Sequence, residues 1–249
     1  MLIEGGPVGP PCGAQAARPA TSQAMPDTIV YRGKGNIYLN ITNRCSCDCV
    51  FCFRAFTDEV FGSDLRLSSE PSVDELTREI ELAFLDGSAE EVAFVGMGEP
   101  TMRLDLVLAV TEWLRARRLR SRLVTNGHGR LLNPDLDVIA RLRDAGLTAA
   151  TVSLNAADPE TYDLLCRPMF SKAFREVVGF AQDCVAAGIA TTVTAVDLPE
   201  ADIDGCRAIA EALGATFRLR PYVAPPAGHD DAGRSANSGD GPPADGNQA

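Results

Sequence analysis

Two periods of apolar residues alternate along this chain and outline a series of strands and helices. Apolar recurrence every three or four positions, typical of one helix face, follows residues 72, 104, 133, 158, 172 and 203. Between these stretches lie short apolar runs typical of buried strands, at residues 36–41, 91–95, 122–125, 149–153, 191–196 and 216–219. The sequence therefore predicts strands and helices in strict alternation.

Capping and turn residues support these boundaries. Ser72-Val73-Asp74-Glu75 has the form of a capping box and predicts the start of one helix. Asn133 followed by Pro134 predicts the start of a helix that runs to Ala145, and Asp158 followed by Pro159 predicts another start. These signals agree with the periodic pattern around them.

Strand–helix alternation implies parallel strands joined by right-handed crossovers. A closed barrel of eight such units needs about 250 residues, so six units predict an α/β domain at 28–224 shaped as an open (β/α)6 partial TIM barrel. A flat, doubly wound sheet is the competing geometry. Residues 1–27 and 225–249 are rich in Gly, Pro and Ala and are expected to be disordered tails.

Composition narrows the function classes. A net charge of −11 argues against a surface that coats nucleic acid, and the basic run 115–122 is expected to be a solvated helix end. No apolar run of about 18 residues predicts a membrane span, and residues 1–25 lack the pattern of a secretory signal. Four of the eight cysteines fall between residues 45 and 52, which suits a reducing compartment. We expect a cytoplasmic protein.

Cys45, Cys49 and Cys52 follow the first predicted strand with C-x3-C-x2-C spacing. A loop of this spacing brings three thiolates to one face of a small cluster, and thiolates are good ligands of iron–sulfur clusters. Three ligands leave one iron of a [4Fe–4S] cluster open to a small molecule. A zinc site with Cys47 as the fourth ligand is the alternative, although structural zinc usually takes its ligands from two separated pairs.

Polar side chains follow the other predicted strands as well. Because the carboxyl ends of parallel strands meet at one edge of the sheet, we expect these groups to share a rim with the cysteine loop. The segments concerned are Gly96–Thr101, Thr125–Gly129, Ser153–Ala156 and Asp197.

The cysteine loop, with Phe51 at the aromatic position of C-x3-C-x-Φ-C, resembles the signature of the radical SAM superfamily. The resemblance implies a partial barrel in which the open iron binds S-adenosyl-L-methionine (SAM). It also implies reductive cleavage of SAM to a 5′-deoxyadenosyl radical, with ferredoxin or flavodoxin as the class of electron donor.

The same resemblance implies a set of cofactor contacts. The segment after the second strand would receive the SAM ammonium, the next two strand ends would contact its ribose and carboxylate, and the aromatic residue would pack near the cluster and adenine. In this order, the residues are Gly96, Gly98 and Glu99, then Asn126, Ser153 and Asn155, then Phe51.

A narrower resemblance covers nearly all of residues 35–223. Residues 36–45, 152–156, 165–168 and 217–222 are similar to the radical SAM family associated with TatD-type nucleases. That name describes an association and implies no substrate.

Three further side chains are candidates near the rim. Cys166 is a candidate catalytic residue, as hydrogen donor or as ligand of a substrate sulfur, and its alternative is a packed thiol. Arg218 and Arg220 share one strand face, where they would hold a carboxylate or phosphate or form ion pairs. His128 and His229 are given no role.

The sequence thus predicts a radical SAM enzyme with an unknown substrate, no membrane attachment and no nucleic-acid partner. Two rivals within the fold are a glycyl-radical activase and a deazapurine-forming enzyme. The rival outside it is a non-catalytic module that binds zinc or an iron–sulfur cluster.

Overall fold

The computed structural model describes residues 27–226. The tails predicted at residues 1–27 and 225–249 therefore lie almost wholly outside the described residues. The exceptions are Pro225 and Pro226, which are exposed, and Asp27, which is held by the domain. Its carboxylate accepts hydrogen bonds from the backbone N–H groups of Ser68 and Ser69, at 2.8 and 3.0 Å.

Strands and helices alternate through the described residues. The strands are β1 (Val30–Gly33), β2 (Asn36–Leu39), β3 (Glu59–Val60), β4 (Ser63–Asp64), β5 (Val92–Phe94), β6 (Ser121–Thr125), β7 (Ala149–Ser153), β8 (Ala190–Val196) and β9 (Thr216–Arg220). The α-helices are α1 (Val73–Leu85), α2 (Leu104–Ala116), α3 (Gly129–Leu132), α4 (Val138–Ala145), α5 (Pro159–Cys166), α6 (Ala173–Ala186) and α7 (Ile203–Ala212). Short 3₁₀ helices cover Phe53–Ala55 and Pro100–Arg103.

The main sheet has the strand order β1-β2-β5-β6-β7-β8-β9. All neighbours from β2 to β9 are parallel, and only β1 pairs antiparallel, with β2. The parallel strands follow one another in chain order without reversal, so the sheet has no switch point of the kind that defines a doubly wound fold. The predicted partial barrel is confirmed, and its edge strands β1 and β9 leave it open.

The six strands predicted from the sequence correspond to β2 and β5–β9, each within two residues of its expected bounds. The capping box at Ser72 is also present, since Ser72 Oγ accepts from the Glu75 N–H at 3.3 Å and the Glu75 carboxylate accepts from the Ser72 N–H at 2.8 Å. Local signals and packing agree at these positions.

The predicted helix start at Asn133 is wrong. The helix α4 begins at Val138, and Asp137 is its N-cap, with Oδ1 accepting from the Ala140 N–H at 3.0 Å. Asn133 instead follows α3, and its side-chain amide donates to the carbonyls of Thr101 and Gly129 at 3.1 and 2.9 Å. A long-range contact thus overrides a local capping signal. The hairpin β3–β4, like β1 and α3, was not expected.

The two faces of the sheet differ in polarity. Val152 and Val193 are fully buried in the main hydrophobic core together with Val177 of α6. Because strand residues alternate between faces, Thr151 and Thr194 point to the opposite face, which is the interior of the open barrel. This interior is therefore partly polar along β7 and β8.

None of the helices in residues 27–226 combines the length and apolar character that a membrane span requires.

Candidate metal and cofactor site

The cysteine loop leaves the C-terminal end of β2 and leads to the 3₁₀ helix at 53–55. Cys45, Cys49 and Cys52 are partly buried, whereas Cys47 is only 8% exposed. Three cysteines with the predicted spacing thus lie at the barrel mouth. Cys47, the fourth cysteine of the loop, is buried in the protein.

Arg54 lies among the three predicted ligands. Burial works against the charged form of Arg54, but the thiols of Cys52, Cys45 and Cys49 outweigh it and hold the pKa of Arg54 above its usual value. Its guanidinium also donates to the carbonyls of Asn43 and Met97, at 2.8 and 2.7 Å. Arg54 therefore connects the cysteine loop to the loop after β5 and brings positive charge to the thiols.

The three cysteines fit an iron–sulfur cluster as a donor set, because soft thiolates are the ligands that such clusters take. Within residues 27–226 no three metal-binding side chains already converge on one point. The Cys49 thiol instead meets the thiols of Cys47 and Cys166.

Residues 46–50 run antiparallel to residues 165–169, and we call this pairing the clasp. The backbone N–H of Met169 donates to the Ser46 carbonyl at 3.0 Å, that of Asp48 to Arg167 at 3.2 Å and that of Val50 to Leu165 at 2.9 Å. Cys47 and Pro168 form the bridge between them. The clasp fixes the middle of the cysteine loop against the end of α5.

Cys166 is 1% exposed and lies in the clasp. Its sulfur is 3.7 Å from the side-chain nitrogen of Asn155, and its thiol meets that of Cys49. The structure thus brings this candidate catalytic residue beside a predicted cluster ligand, as a packed thiol. A catalytic role stays a prediction.

Gly96 and Gly98 pack against the segment that leads into the cysteine loop. A Cβ at Gly96 would clash with the Asn40 side chain, and one at Gly98 would clash with the carbonyls of Arg44 and Thr42. The resemblance implied that these glycines lie in the segment that receives the SAM ammonium. The structure gives a reason for glycine at both positions, which is that they let the loop after β5 lie directly on the segment after β2.

Glu99 is a buried centre of hydrogen bonds. Its Oε1 accepts from the Thr101 N–H at 3.0 Å and from the hydroxyls of Thr101 and Thr125 at 2.7 Å each, and its Oε2 accepts from the Asn126 N–H at 2.7 Å. Burial raises the pKa of Glu99, with these hydrogen bonds opposing the shift. Glu99 therefore ties together the loops after β5 and β6.

A second buried chain of hydrogen bonds joins the cysteine loop to α5. The Asn126 side-chain nitrogen lies 2.9 Å from Ser46 Oγ, which lies 3.0 Å from His128 Nδ1. His128 Nε2 lies 2.9 Å from the hydroxyl of Tyr162, and both residues are fully buried. The Asn126 nitrogen also lies 3.6 Å from Cys47 Sγ and 3.9 Å from Cys45 Sγ. Asn126 thus contacts the cysteine loop directly.

The sequence assigned no role to His128. Burial lowers the pKa of His128 to about 4, so the ring is neutral at physiological pH and shares hydrogen bonds on both nitrogens. Its position directly after Thr125-Asn126-Gly127, at a predicted strand end, was the available signal. The residue supports the site without lying at its surface.

The remaining predicted contacts lie farther round the mouth. Asn155 adopts a left-handed backbone conformation, with φ of 63°, and its Oδ1 lies 3.5 Å from a guanidinium nitrogen of Arg220. Ser153 is partly buried at the end of β7, and Phe51 is partly buried against the main core. Their contacts with SAM stay predictions.

A sequence model of the radical SAM superfamily matches residues 39–213, from the last residue of β2 to just past α7. This chain belongs to the radical SAM superfamily. The [4Fe–4S] cluster and SAM expected from the sequence are the cofactors that this family uses. The match spans the cysteine loop and nearly all of the partial barrel.

Curated relatives similar to this radical SAM chain are named GTP 3′,8-cyclases. The protein of Corynebacterium glutamicum is 30% identical over 171 residues, which cover 66% of this chain and 42% of the relative. That of Yersinia pestis is 32% identical over 124 residues, which cover 50% of this chain and 35% of the relative. The chain thus spans less than half the length of these relatives.

Solved structures with a similar fold have lower identity. SuiB of Streptococcus suis bound to the precursor peptide SuiA has a TM-score of 0.60 at 16% identity, over 75% of this chain and 39% of that chain. TYW1 with a bound lysine-pyruvate adduct has a TM-score of 0.56 at 15% identity, over 76% and 65%. These likenesses establish the fold alone.

Proposed function

We propose that this protein is a radical SAM enzyme in which Cys45, Cys49 and Cys52 hold a [4Fe–4S] cluster and the neighbouring strand-end loops hold SAM. When bound, these cofactors supply the one-electron cleavage of SAM and a 5′-deoxyadenosyl radical that removes a hydrogen atom from the substrate. The electron comes from a donor of the ferredoxin or flavodoxin class in the cytoplasm.

The position of the cysteine loop supports this proposal most. The loop has the family's spacing, and it lies at the C-terminal end of the first parallel strand in a chain that the family model matches. Parallel α/β domains bind their ligands at this end of the strands. A zinc module would give no reason for the glycine loop and Asn126 to pack on the same loop.

The protein's own residues hold the loop and prepare the SAM site. Arg54 offsets the negative charge that three thiolates bring to a partly buried place. Glu99 accepts a single hydrogen bond on Oε2, so one lone pair remains for the SAM ammonium. Ser153 and Asn155 are polar contacts for the rest of SAM, and Phe51 is an apolar one.

The narrower assignment is to the radical SAM family associated with TatD-type nucleases. It is supported by the sequence of residues 36–45, 165–168 and 217–222. The names of the curated relatives describe action on GTP, but this chain matches less than half of those proteins. We therefore extend to this chain only the cleavage of SAM, and the substrate is unassigned.

The test is anaerobic reconstitution with iron and sulfide, followed by addition of dithionite and SAM. We expect about four irons per chain and release of 5′-deoxyadenosine, measured by chromatography. Cys49→Ala should abolish both the visible absorbance of the cluster and the product. The matched control is Cys206→Ala in α7, which also removes a buried thiol and should behave like the wild type.

A reconstituted wild-type protein that makes no more 5′-deoxyadenosine than Cys49→Ala would overturn the enzymatic proposal. Tight binding of one zinc with no iron uptake would favour the structural module instead.

A further inference from the structure

The interior face of the last three strands carries a row of polar residues. In the sheet register Ser153 lies beside Thr194, and Thr194 lies beside Arg218. Arg220, two residues along β9, shares the face of Arg218. These side chains line the barrel interior next to the proposed SAM site.

Some of these polar groups have no partner within the described residues. The hydroxyl oxygens of Thr151 and Thr194 and the Nε of Arg220 are buried without a hydrogen bond. Buried polar groups are normally paired, and each exception calls for an explanation. Five other unpaired buried atoms lie elsewhere in residues 27–226, but these three share one face of three neighbouring strands, where a ligand in the barrel could pair with them.

Arg218 and Arg220 also form an uncompensated pair of charges. Burial lowers the pKa of Arg220, and the nearby charge of Arg218 lowers it further, with the thiols of Cys49, Cys166 and Cys52 opposing. No carboxylate of residues 27–226 forms an ion pair with either arginine. The ion pairs that the sequence left open are therefore not formed within these residues.

Charge balance with the cluster thiolates is the simplest alternative, but it accounts for one arginine only. Arg220 is near the cysteines and can serve them, as Arg54 does. Arg218 is exposed in the barrel interior and pairs in register with Thr194, two residues before the end of β8. The positive charge of Arg218, inside the barrel beside Thr194, suits a ligand that enters the barrel.

We propose that Arg218 and Arg220, with the hydroxyl of Thr194 beside them, bind an anionic group of the substrate, either a carboxylate or a phosphate. Planar guanidinium groups match both anions through paired hydrogen bonds. Asn155 lies between Arg220 and Cys166, so a substrate held in this way has its anionic end on β9 and its body toward the cysteines. This proposal rests on the proposed function, because the anion is assigned to the substrate of that reaction.

The experiment uses cluster-loaded protein under anaerobic conditions, with inorganic phosphate as the probe. The thermal midpoint is measured against phosphate concentration at constant ionic strength, and SAM affinity is measured by calorimetry. Phosphate should stabilise the wild type in a saturable way. Arg218→Gln should weaken the apparent phosphate affinity at least tenfold, as expected for loss of a charge-assisted hydrogen bond, while SAM affinity stays within twofold.

The matched control is Arg207→Gln. Arg207 lies in α7, and its guanidinium carbon is 4.7 Å from the ring centre of Phe217, on the opposite face of β9 from Arg218. This variant should keep the phosphate response of the wild type. Arg220→Lys retains the charge and should keep part of the response, whereas Arg220→Gln should lose it.

Two results would overturn the inference. One is an equal phosphate response in the wild type and Arg218→Gln. The other is a tenfold loss of SAM affinity in Arg218→Gln, which would assign the pair to the SAM carboxylate. Failure of the proposed function would give a different result. If the wild type cleaves no SAM but still binds phosphate through Arg218, the enzymatic proposal is wrong and the anion site remains.

Discussion

The two halves of the barrel mouth differ in how their polar side chains are paired. In the first half, formed by the loops after β2, β5 and β6, buried polar groups bond to one another. Glu99 accepts from Thr101, Thr125 and Asn126, and His128 bonds on both ring nitrogens. In the second half, on β7 to β9, Thr194 and other buried polar groups lack partners.

This difference suggests that one half supports the cysteine loop and the other half recognises a ligand. A fully paired buried network is rigid and specifies one arrangement, which suits the loop that we propose as the cluster ligand. Unpaired buried groups destabilise the free protein, and a ligand that pairs with them recovers that free energy on binding. In our proposals the first half supports the cluster loop, and the second half, which also carries the proposed SAM contacts Ser153 and Asn155, binds the anionic group of the substrate.

The largest expected effect is that of Glu99→Ala, which leaves several buried donors without an acceptor. We expect a loss of about 3 kcal/mol of unfolding free energy, or a thermal midpoint lower by about 6–12 °C, measured by urea and thermal unfolding. The control Glu112→Ala, at an exposed position of α2, should change little. A loss below about 1 kcal/mol would show that the first half is not held by Glu99.

The next effect is a pH dependence that originates at His128. Its folded pKa of about 4 lies below the unfolded value of about 6.5. The unfolded state therefore binds a proton first as pH falls, and stability is lost below about pH 6.5. We expect a contribution of about 2 kcal/mol between pH 7.5 and pH 5, measured as unfolding free energy at each pH.

The control for this pH dependence is the other histidine. His128→Gln should flatten the slope between pH 7.5 and pH 5, whereas His229→Gln, outside the described residues, should keep it. Equal slopes in the two variants would show that His128 does not cause this pH dependence.

The smallest effect compares one buried threonine from each half. Thr125 Oγ1 donates to Glu99 at 2.7 Å and accepts from the Gly127 N–H at 3.0 Å, whereas Thr194 Oγ1 has no partner. Thr125→Val should therefore lose about 1–3 kcal/mol of unfolding free energy, whereas Thr194→Val, which removes an unpaired buried hydroxyl, should gain about 1 kcal/mol. Equal losses in urea unfolding would contradict the proposed difference between the halves.

Local pattern was enough to predict the parallel strands and most helices, because their apolar periods and caps agree with the tertiary packing. It failed for β1, which has few apolar residues and depends on distant contacts. Arg32 in this strand donates to the carbonyls of Ala83 and Ser88 at the end of α1, at 2.7 Å each. Such contacts leave no periodic signal in the sequence.

The site was predictable to the level of the loops that form it. The cysteine spacing predicted which residues are the cluster ligands. The position of Asn126 at the end of a parallel strand predicted that it lies near them. The direction of each side chain was not predictable. The Asn126 amide turns toward Ser46, and Gly96 makes room for Asn40, because both positions depend on how neighbouring loops pack.

The clasp also has a consequence for how the protein is made. Its hydrogen bonds join Ser46 to Met169 and Val50 to Leu165, so the cysteine loop can reach its final shape only after residue 169 has left the ribosome. The cysteines emerge long before that point, during synthesis at about 5–20 residues per second. Iron insertion should therefore follow the synthesis of most of the chain, and nascent chains arrested before residue 165 should carry these thiols without retaining a cluster.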